Sequence, residues 1–389
     1  MEKIRIVDAC ELLNGFAFKS ENYVKEGIRI IRIANVQKGY IEDNTPAFYP
    51  ADSEGLDKYM LEENDLLMSL TGNVGRVAIL QKDMLPAALN QRVACLRLKT
   101  DRITKGYLFH LLNSDFFEQK CIQSSKGVAQ KNMSTEWLKD FLIPAYSVEK
   151  QQEITTTLDY LRNIIDKRKQ EINKLDELIK ARFVEMFGDT VINPKGWTEH
   201  ILDEYITFLT SGSRGWAQYF TDEKNELFIT IKNVKNNHIT LDDIQYVDAP
   251  ENKEAERTKV KTGDLLISIT ADLGRTGVVD DSIADRGAYI NQHLSLVRLD
   301  QDKINPLYVS YFLETSGGKR QFERKNQNGV KAGLNFEAIK SLKILVPPIE
   351  MQEQYLDFVK QVDKSKVVVQ KSLDETQKLF DSLMQEYFG

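Results

Sequence analysis

The feature that most constrains this chain is an internal repeat. The segment DLLMSLTGNVGR at residues 65–76 returns as DLLISITADLGR at residues 264–275, 199 residues further on. Between the landmarks that the two copies share, from Asn35 to Gly188 and from Asn233 to Gly389, five successive intervals agree within two residues. Chance does not preserve five intervals so closely. The chain therefore contains two copies of one structural unit.

Each copy has a mixed first part and a helical second part. In the first part, short apolar runs such as IRIIRIANV, DLLMSLTG and RVACLRLK predict strands, while residues 105–122 and 305–322 each predict one helix. We therefore predict an α+β fold of four segments. They are a first globule at 1–145, a central helix at 146–188, a second globule at 189–345 and a C-terminal helix at 346–389.

The helical part of each copy carries seam residues spaced alternately four and three residues apart. This 3.5-residue period runs over five heptads without Pro or Gly and is typical of a coiled coil. Each helix alone would expose an apolar stripe, so we expect the two helices to pack on each other. We interpret Arg168, Arg182, Lys366 and Thr376 as register or edge positions. The predicted seam is Ile154, Leu158, Leu161, Ile165, Arg168, Ile172, Leu175, Ile179, Arg182 and Met186, with Tyr355, Val359, Val362, Lys366, Val369, Leu373, Thr376, Phe380, Leu383 and Tyr387.

Composition excludes several classes of protein. With 42% hydrophobic and 28% charged residues in 389, the chain is neither disordered nor collagen-like. Three well-separated cysteines favour reduced thiols over a disulfide framework. No apolar run approaches the roughly 20 residues that span a bilayer, and acids at the N-terminus do not suit a signal peptide. We expect a cytoplasmic protein with no membrane partner.

Catalytic signatures are missing from the sequence. The four histidines lack the spacing of a zinc site, and neither a GxGxxG nor a P-loop motif is present. The segment Val346-Pro347-Pro348-Ile349 lacks the amide or acid and the aromatic residue of an amino-methyltransferase tetrapeptide. We therefore expect no catalytic site, no cofactor and no metal in this chain.

Basic, amide-rich segments recur at equivalent places, 119–132 and 318–331, although the chain as a whole has a net charge of −6. Lys and Arg suit phosphates, and Asn, Gln and Arg can pair with base edges in the major groove. A solvated loop between helices is the alternative interpretation. The recurrence favours DNA contact through Lys120, Lys126, Gln130, Lys131, Asn132, Lys319, Arg320, Arg324, Lys325, Asn326, Asn328 and Lys331.

Two further pairs of segments are weaker candidates for DNA contact. The glycine-bearing turns at 71–76 and 270–275 either serve a tight hairpin or present side chains to a groove. The amide pairs at 90–91 and 291–292 either cap a turn or read a base. The DNA-binding candidates in these segments are Asn73, Arg76, Gln91, Arg92, Arg275 and Gln292.

With these motifs assigned, the chain resembles the specificity subunits of type I restriction-modification systems. The resemblance covers the whole chain and rests on the repeated DLLMSLTGNVGR and DLLISITADLGR, and on Ile143-Pro144 and Val346-Pro347-Pro348 leading into EKQQEI and EMQEQ. It implies that the globules are target recognition domains, each of which reads one half of a split DNA sequence. It also implies that the helices form an antiparallel coiled coil that sets the spacer.

The resemblance further implies the partners of the chain. They are double-stranded DNA, two modification subunits that carry the S-adenosylmethionine chemistry, and restriction subunits with ATP-driven translocation and nuclease activity. Because the loops of the two copies differ, the DNA site should be asymmetric. The alternative functions are a single-chain enzyme fused to recognition domains, which would need a catalytic motif, and a coiled-coil adaptor without DNA readout.

Overall fold

The computed structural model describes residues 2–125, 132–270, 272–327 and 333–389. The chain forms two compact units, of which unit 1 comprises residues 1–171 and 369–389 and unit 2 comprises residues 172–368. Each unit therefore holds one globule together with one half of each long helix. A domain of this kind is assembled from segments that are distant in sequence.

Within its described residues, unit 1 contains three small sheets and four short α-helices beside the long ones. Its sheets have the strand orders β2-β8-β5-β6, β4-β3-β7 and β1-β9. Every pair is antiparallel except β3 and β7. The strands are β1 (Glu2–Arg5), β2 (Cys10–Asn14), β3 (Ile28–Ile31), β4 (Phe48–Tyr49), β5 (Leu66–Ser69), β6 (Val77–Ile79), β7 (Ala87–Leu89), β8 (Val93–Leu98) and β9 (Leu142–Ala145). The helices are α1 (Ile6–Ala9), α2 (Lys105–Leu112), α3 (Asp115–Ser124), α4 (Thr135–Asp140) and the first half of α5 (Val148–Phe187).

Unit 2 repeats this plan. Its strands are β10 (Glu199–Ile201), β11 (Ile206–Ser211), β12 (Phe220–Thr221), β13 (Glu226–Ile229), β14 (Val234–Lys235), β15 (Asn237–Ile239), β16 (Gln245–Val247), β17 (Leu265–Ser268), β18 (Thr276–Val278), β19 (Ala288–Ile290), β20 (Leu294–Leu299) and β21 (Lys343–Leu345). Its helices are α6 (Lys253–Thr258), α7 (Asp281–Arg286), α8 (Pro306–Glu314), α9 (Ser316–Gln327), α10 (Phe336–Lys340) and the first half of α11 (Ile349–Phe388).

The internal repeat is visible in the strand order. The run β11-β20-β17-β18 of unit 2 corresponds to β2-β8-β5-β6 of unit 1, and the parallel pair β13 and β19 corresponds to β3 and β7. Unit 2 extends its main sheet by β15 and β14. The prediction of two repeated α+β globules with two long helices is confirmed.

A buried carboxylate explains why both copies of the repeated motif begin with Asp. Asp65 is 5% exposed and accepts two 2.8 Å hydrogen bonds from the guanidinium of Arg97. In unit 2, Asp264 is fully buried and accepts two 2.7 Å bonds from Arg298. A paired, hydrogen-bonded charge of this kind is tolerated in a core, whereas either charge left alone is not.

The variant Asp264→Ala is expected to lower the free energy of unfolding by about 3 kcal/mol or more, because it leaves Arg298 without its carboxylate. Denaturant unfolding of the full chain measures this loss. The control is Asp357→Ala, which removes the exposed 3.8 Å pair with Lys360 and should cost under about 1 kcal/mol. Equal stability of the two variants would contradict the structural role of Asp264.

The two helices predicted at 105–122 and 305–322 are each broken in the middle, so this prediction is wrong in detail. In unit 1, α2 ends at Leu112 and Ser114 caps α3, since its hydroxyl accepts a hydrogen bond from the backbone N–H of Phe117. In unit 2, the Thr315 hydroxyl donates to the carbonyl of Phe312 at 2.6 Å. Serine and threonine compete with the helix backbone for hydrogen bonds, which favours a new start at these points.

The predicted seam is confirmed on both long helices, since none of its twenty positions is exposed. In unit 2, Asp176 of α5 pairs with Lys366 of α11, while Phe183 and Phe187 pack on Tyr355. The residue number rises along one helix as it falls along the other, so the pairing is antiparallel. Lys366 interrupts the seam by forming an interhelical ion pair, which agrees with its interpretation as a register position.

A buried glutamine fixes the start of each long helix to its globule. The amide of Gln151 accepts from Thr104 N at 2.8 Å and donates to Arg102 O at 2.7 Å. Gln352 makes the equivalent bond to Asn305 N at 3.0 Å and donates to Pro347 O at 2.9 Å. Both side chains are fully buried and hydrogen-bonded, which explains why the two copies share a glutamine at this point.

Candidate nucleic-acid interface

Three of the predicted DNA-binding segments of unit 1 lie side by side. Leu70, at the end of β5, accepts a hydrogen bond from Met133 N and donates its own N–H to Arg92 O, both at 2.9 Å. Thr71 pairs with Asn132 as an isolated bridge. The turn 71–76, the pair Gln91-Arg92 and Asn132 therefore meet at one edge of the main sheet.

Unit 2 brings the equivalent segments together in the same way. Ile269, at the end of β17, donates to His293 O at 3.0 Å and accepts from Leu334 N at 2.9 Å. The turn that carries Arg275, the pair Gln292-His293 and the chain at Leu334 therefore adjoin. Because the segments are up to 65 residues apart in sequence, only the sheet explains their proximity.

At each of these edges, the hydroxyl of one serine bonds to two backbone groups of the turn and holds its shape. This arrangement is called the serine clasp below. In unit 1, the hydroxyl of Ser69 donates to Asn73 O at 2.5 Å and accepts from Arg76 N at 3.0 Å. In unit 2, Ser268 donates to Asp272 O and accepts from Arg275 N at 2.9 Å. Sequence analysis missed this role, although a serine at the same position of both motifs was the available signal.

Glycine completes the shape of the turn. Gly75 and Gly274 have φ of +80° and +79°, a conformation that L side chains rarely adopt. A Cβ on Gly274 would also come within 2.3 Å of the ring of Phe322 in α9. The hairpin interpretation of these glycines therefore holds, and the turn also presents polar side chains: Asn73 and Arg275 are exposed and Arg76 is half-buried.

In each amide pair, the asparagine caps a turn and the glutamine that follows it is more exposed. Asn90 and Asn291 accept from the backbone N–H two residues further on, at 3.2 and 3.1 Å. These asparagines thus cap turns, as one of the two interpretations predicted. Gln91 and Arg92 are exposed, while Gln292 is half-buried with its amide nitrogen 3.0 Å from Nε2 of His293.

The basic segments are partly helical rather than loops, which corrects the sequence-based interpretation. Residues up to Ser124 belong to α3, and residues up to Gln327, including Asn326, belong to α9. Lys, Arg, Gln and Glu are good helix formers, so these segments continue the helix instead of leaving it. Lys126, Gln130, Lys131, Asn328 and Lys331 lie outside the described residues.

The cations of α9 differ in how they are held. Lys319 pairs with Glu314 at 3.1 Å, and Lys325 donates to the hydroxyl of Ser341 at 2.6 Å. Arg320 and Arg324 are exposed and form no ion pair within the described part of the chain. These two guanidinium groups, four residues apart on one helix face, are available to a phosphate.

The corresponding helix of unit 1 has the opposite charge. Cys121 packs on Gly75 as Phe322 packs on Gly274, so α3 and α9 are equivalent. Whereas α9 carries four cations and one acid, α3 carries Asp115, Glu118 and one cation, Lys120, whose ammonium lies 5.6 Å from the centroid of the Phe116 ring. Of the three lysines in segment 119–132, Lys120 alone lies within the described residues, so the expectation of a basic surface there stays a prediction.

Lys38 pairs with both acids of α3 and so bridges a hairpin of unit 1 to this helix. Its ammonium donates to Asp115 at 2.7 Å and to Glu118 at 2.8 Å. Burial disfavours the charged form, but these two carboxylates prevail and raise the pKa of Lys38. In unit 2 the counterparts are Asn236, Ser316 and Lys319, which cannot form this bridge, and there a cavity of about 810 Å³ separates the hairpin from α9.

Features of metal sites and of membrane-spanning helices are absent from the described residues. No three His, Cys, Asp or Glu side chains within them are grouped to hold a metal ion. The three thiols are free and buried, and burial raises the pKa of Cys10 and of Cys121 to about 12. No helix in the same ranges is long and apolar enough to cross a membrane.

One known protein family matches this chain twice, once for each copy of the repeat. The family model of the type I restriction modification DNA specificity domain matches residues 1–177 and again residues 194–376. The type I restriction enzyme EcoBI specificity subunit of Escherichia coli is 23% identical over 99% of this chain and 85% of its own length.

Solved structures show the same fold. The S subunit of a type I restriction-modification system from M. genitalium aligns with a TM-score of 0.61 at 14% identity, covering 100% of this chain and 96% of its own. A second structure, described as the basis of complex assembly and conformational transition of the type I R-M system, aligns with a TM-score of 0.58 at 18% identity over 100% and 97%.

Proposed function

Since this chain belongs to the type I restriction modification DNA specificity domain family, we propose that its two units each read one half of a bipartite, asymmetric DNA site. The chain is the sequence-specific DNA recognition subunit of a type I restriction-modification system. The observation that supports a split site is the pair of equivalent edges. Each edge joins a serine-clasped turn, an amide-capped turn and the chain that follows a helix.

Asymmetry follows from what the two edges present. The two edges have equivalent backbone hydrogen bonds. However, the position of Asn73 in the first copy is occupied by Asp272 in the second, and that of Arg92 by His293. Side chains of different hydrogen-bonding type select different bases. The two half-sites should therefore differ in sequence.

We divide the predicted DNA-binding residues that the structure describes into two groups, one for phosphate contact and one for base reading. The exposed cations of α9 and Lys120 contact phosphates, whereas residues on the turns read base edges. Lys126, Gln130, Lys131, Asn328 and Lys331 remain candidates on their sequence alone. The residues proposed for base reading are Asn73, Arg76, Gln91, Arg92, Asn132, Arg275 and Gln292.

A type I subunit assembles with other subunits, and we propose that two modification subunits dock on α5 and α11, with restriction subunits added to them. The recognition domains would span 1–145 and 189–345, with the helices at 146–188 and 346–389 setting the spacer. Each helix has 40 residues, or about 60 Å at 1.5 Å per residue, which exceeds one DNA turn of roughly 34 Å.

We further propose that this chain is not an enzyme by itself and holds no cofactor, because the modification subunits supply the S-adenosylmethionine chemistry. The purified chain, incubated with DNA, S-adenosylmethionine and Mg²⁺, should transfer no methyl groups. Addition of modification subunits should methylate DNA at one bipartite, asymmetric sequence, which sequencing of the methylated bases would identify.

Two results would contradict the proposal. Methyl transfer by the chain alone would show that it is catalytic. Methylation without sequence preference in the assembled complex would return the chain to the alternative of a coiled-coil adaptor without DNA readout, which the family match does not support.

A further inference from the structure

We propose that one trio of side chains in each unit determines which base pair is read at one position of each half-site. This inference rests on the proposed function, since it assumes that the edges described above face DNA. The unit 1 trio is Gln37, Asn73 and Arg76; the unit 2 trio is Lys235, Asp272 and Arg275.

Equivalent hydrogen bonds anchor both trios. Gln37 and Lys235 each follow by two residues an asparagine that folds the hairpin. In unit 1, Asn35 accepts from Arg32 N at 2.9 Å; in unit 2, Asn233 accepts from Thr230 N at 2.9 Å. The other two members lie on the turns that the serine clasps hold. The two trios therefore share these anchoring bonds and differ in their side chains.

The members of each trio lie near one another, through direct contacts in unit 1 and through an ion pair and a shared cavity in unit 2. In unit 1, Arg76 donates to Oε1 of Gln37 at 2.5 Å, and rotating the amide of Asn73 by 180° places its oxygen 3.1 Å from Nη2 of the same guanidinium. In unit 2, Arg275 pairs with Asp272 at 2.6 Å, and both line the 810 Å³ cavity with Lys235. Residues from a hairpin and from a turn thus converge twice.

Each trio keeps side chains that are exposed to solvent. Asn73 and Asp272 are exposed at the tips of their turns, and the side chains of Lys235 and Arg275 are 44% and 43% exposed. An arginine offers five donors, so the guanidinium can keep its internal partners and still meet a base edge. Residues of a structural ion pair in a core would not have this freedom.

The chemistry of the trios differs at two of their three positions. Arginine is common to both and suits guanine or a phosphate. The amide of Asn73 both donates and accepts, which matches the N6 and N7 edge of adenine. Asp272 only accepts, which matches the N4 amino group of cytosine, and Lys235 donates to the O6 and N7 of the paired guanine. Unit 1 should therefore read A·T and unit 2 should read G·C at this position.

The test converts one trio into the other. The double variant Gln37→Lys/Asn73→Asp gives unit 1 the trio of unit 2 while leaving Arg76 and the net charge unchanged. The full chain, assembled with modification subunits, selects duplexes from a library randomised over both half-sites. One position of the first half-site should change from A·T to G·C, with a tenfold to hundredfold reversal of preference.

The second half-site, read in the same molecules, reports whether the variant is folded and bound. A matched control, Gln81→Lys/Asn44→Asp, makes the same two chemical changes at exposed positions of unit 1 and should leave both half-sites unchanged. The reciprocal variant Lys235→Gln/Asp272→Asn should change one position of the second half-site from G·C to A·T.

The outcomes separate the inference from the proposed function. An unchanged first half-site in the double variant, with the second half-site retained, would overturn the trio and leave the proposed function standing. Loss of first half-site selection together with an unaffected reciprocal variant would also overturn it. If the unsubstituted complex selects no bipartite sequence, the proposed function itself fails.

Discussion

The fragment 1–188 is expected to form a homodimer and, with modification subunits, to direct methylation to a symmetric, interrupted palindrome. In unit 1, Ile154 and Leu158 of α5 belong to a core that includes Phe388 of α11. The fragment lacks α11, so the apolar surface of α5 is exposed to solvent. An exposed apolar surface of this kind favours association with another molecule.

Because of the repeat, the end of α5 from a second fragment can take the place of the missing α11. At the repeat shift of 201 residues, the α11 residues that pack in unit 1 correspond to residues at the end of α5. The unit 1 residues Phe380, Leu383, Met384, Tyr387 and Phe388 correspond to Ile179, Arg182, Phe183, Met186 and Phe187. Four of these five substitutes are apolar, so two fragments can pair through a two-fold axis, with identical recognition globules. Two copies of the same half-site in opposite orientation form a palindrome.

Arg182 is the weak point of this homodimer, because it replaces Leu383. The variant Arg182→Leu of the fragment should therefore tighten the dimer, and Leu158→Asp should weaken it by placing a charge in the seam. Analytical ultracentrifugation over micromolar concentrations measures the association, and methylation assays measure the symmetry of the site. A fragment that remains monomeric at tens of micromolar would show that the helices do not recognise each other as the repeat implies.

Neutralising two arginines of α9 is expected to weaken DNA binding far more than any equivalent change in α3. Arg320 and Arg324 are exposed without an ion pair among the described residues, and each phosphate contact contributes about 0.9 to the slope of log K against log salt. The variant Arg320→Gln/Arg324→Gln should therefore lower the slope by about 1.8, which corresponds to roughly 30-fold weaker binding at 0.15 M salt.

The controls use cations that already have partners. The variant Lys319→Gln/Lys325→Gln removes the same charge, but Lys319 is paired with Glu314 and Lys325 is bonded to Ser341, so a smaller loss of slope is expected. Lys120→Gln tests the single cation of α3. Titrations of duplex DNA at several salt concentrations measure all three variants, and an unchanged slope for the arginine variant would place the phosphate contacts elsewhere.

Sequence alone determined the repeat, the α+β character of each globule and the seam from Ile154 to Met186. These features are periodic or local, since burial of one helix face imposes a 3.5-residue period and a buried strand imposes an apolar run. The motif 65–76 was likewise identified as a turn from its glycines. The same reasoning identified the candidates Asn73, Arg76 and Arg275, although it could not say what surrounds them.

Only the tertiary structure decided which polar residues work together. The meeting of Leu70, Arg92 and Met133 depends on sheet pairings between distant segments, which no local pattern encodes. The breaks after α2 and α8 depended on whether one hydroxyl bonds to the backbone, a choice close in energy to continuing the helix. The acids of α3 are visible in the sequence, but the fold decides that Asp115 pairs with Lys38, 77 residues away. Residue types along the chain set the charge of each helix and turn, whereas the fold decides which side chains are paired and which meet at one edge.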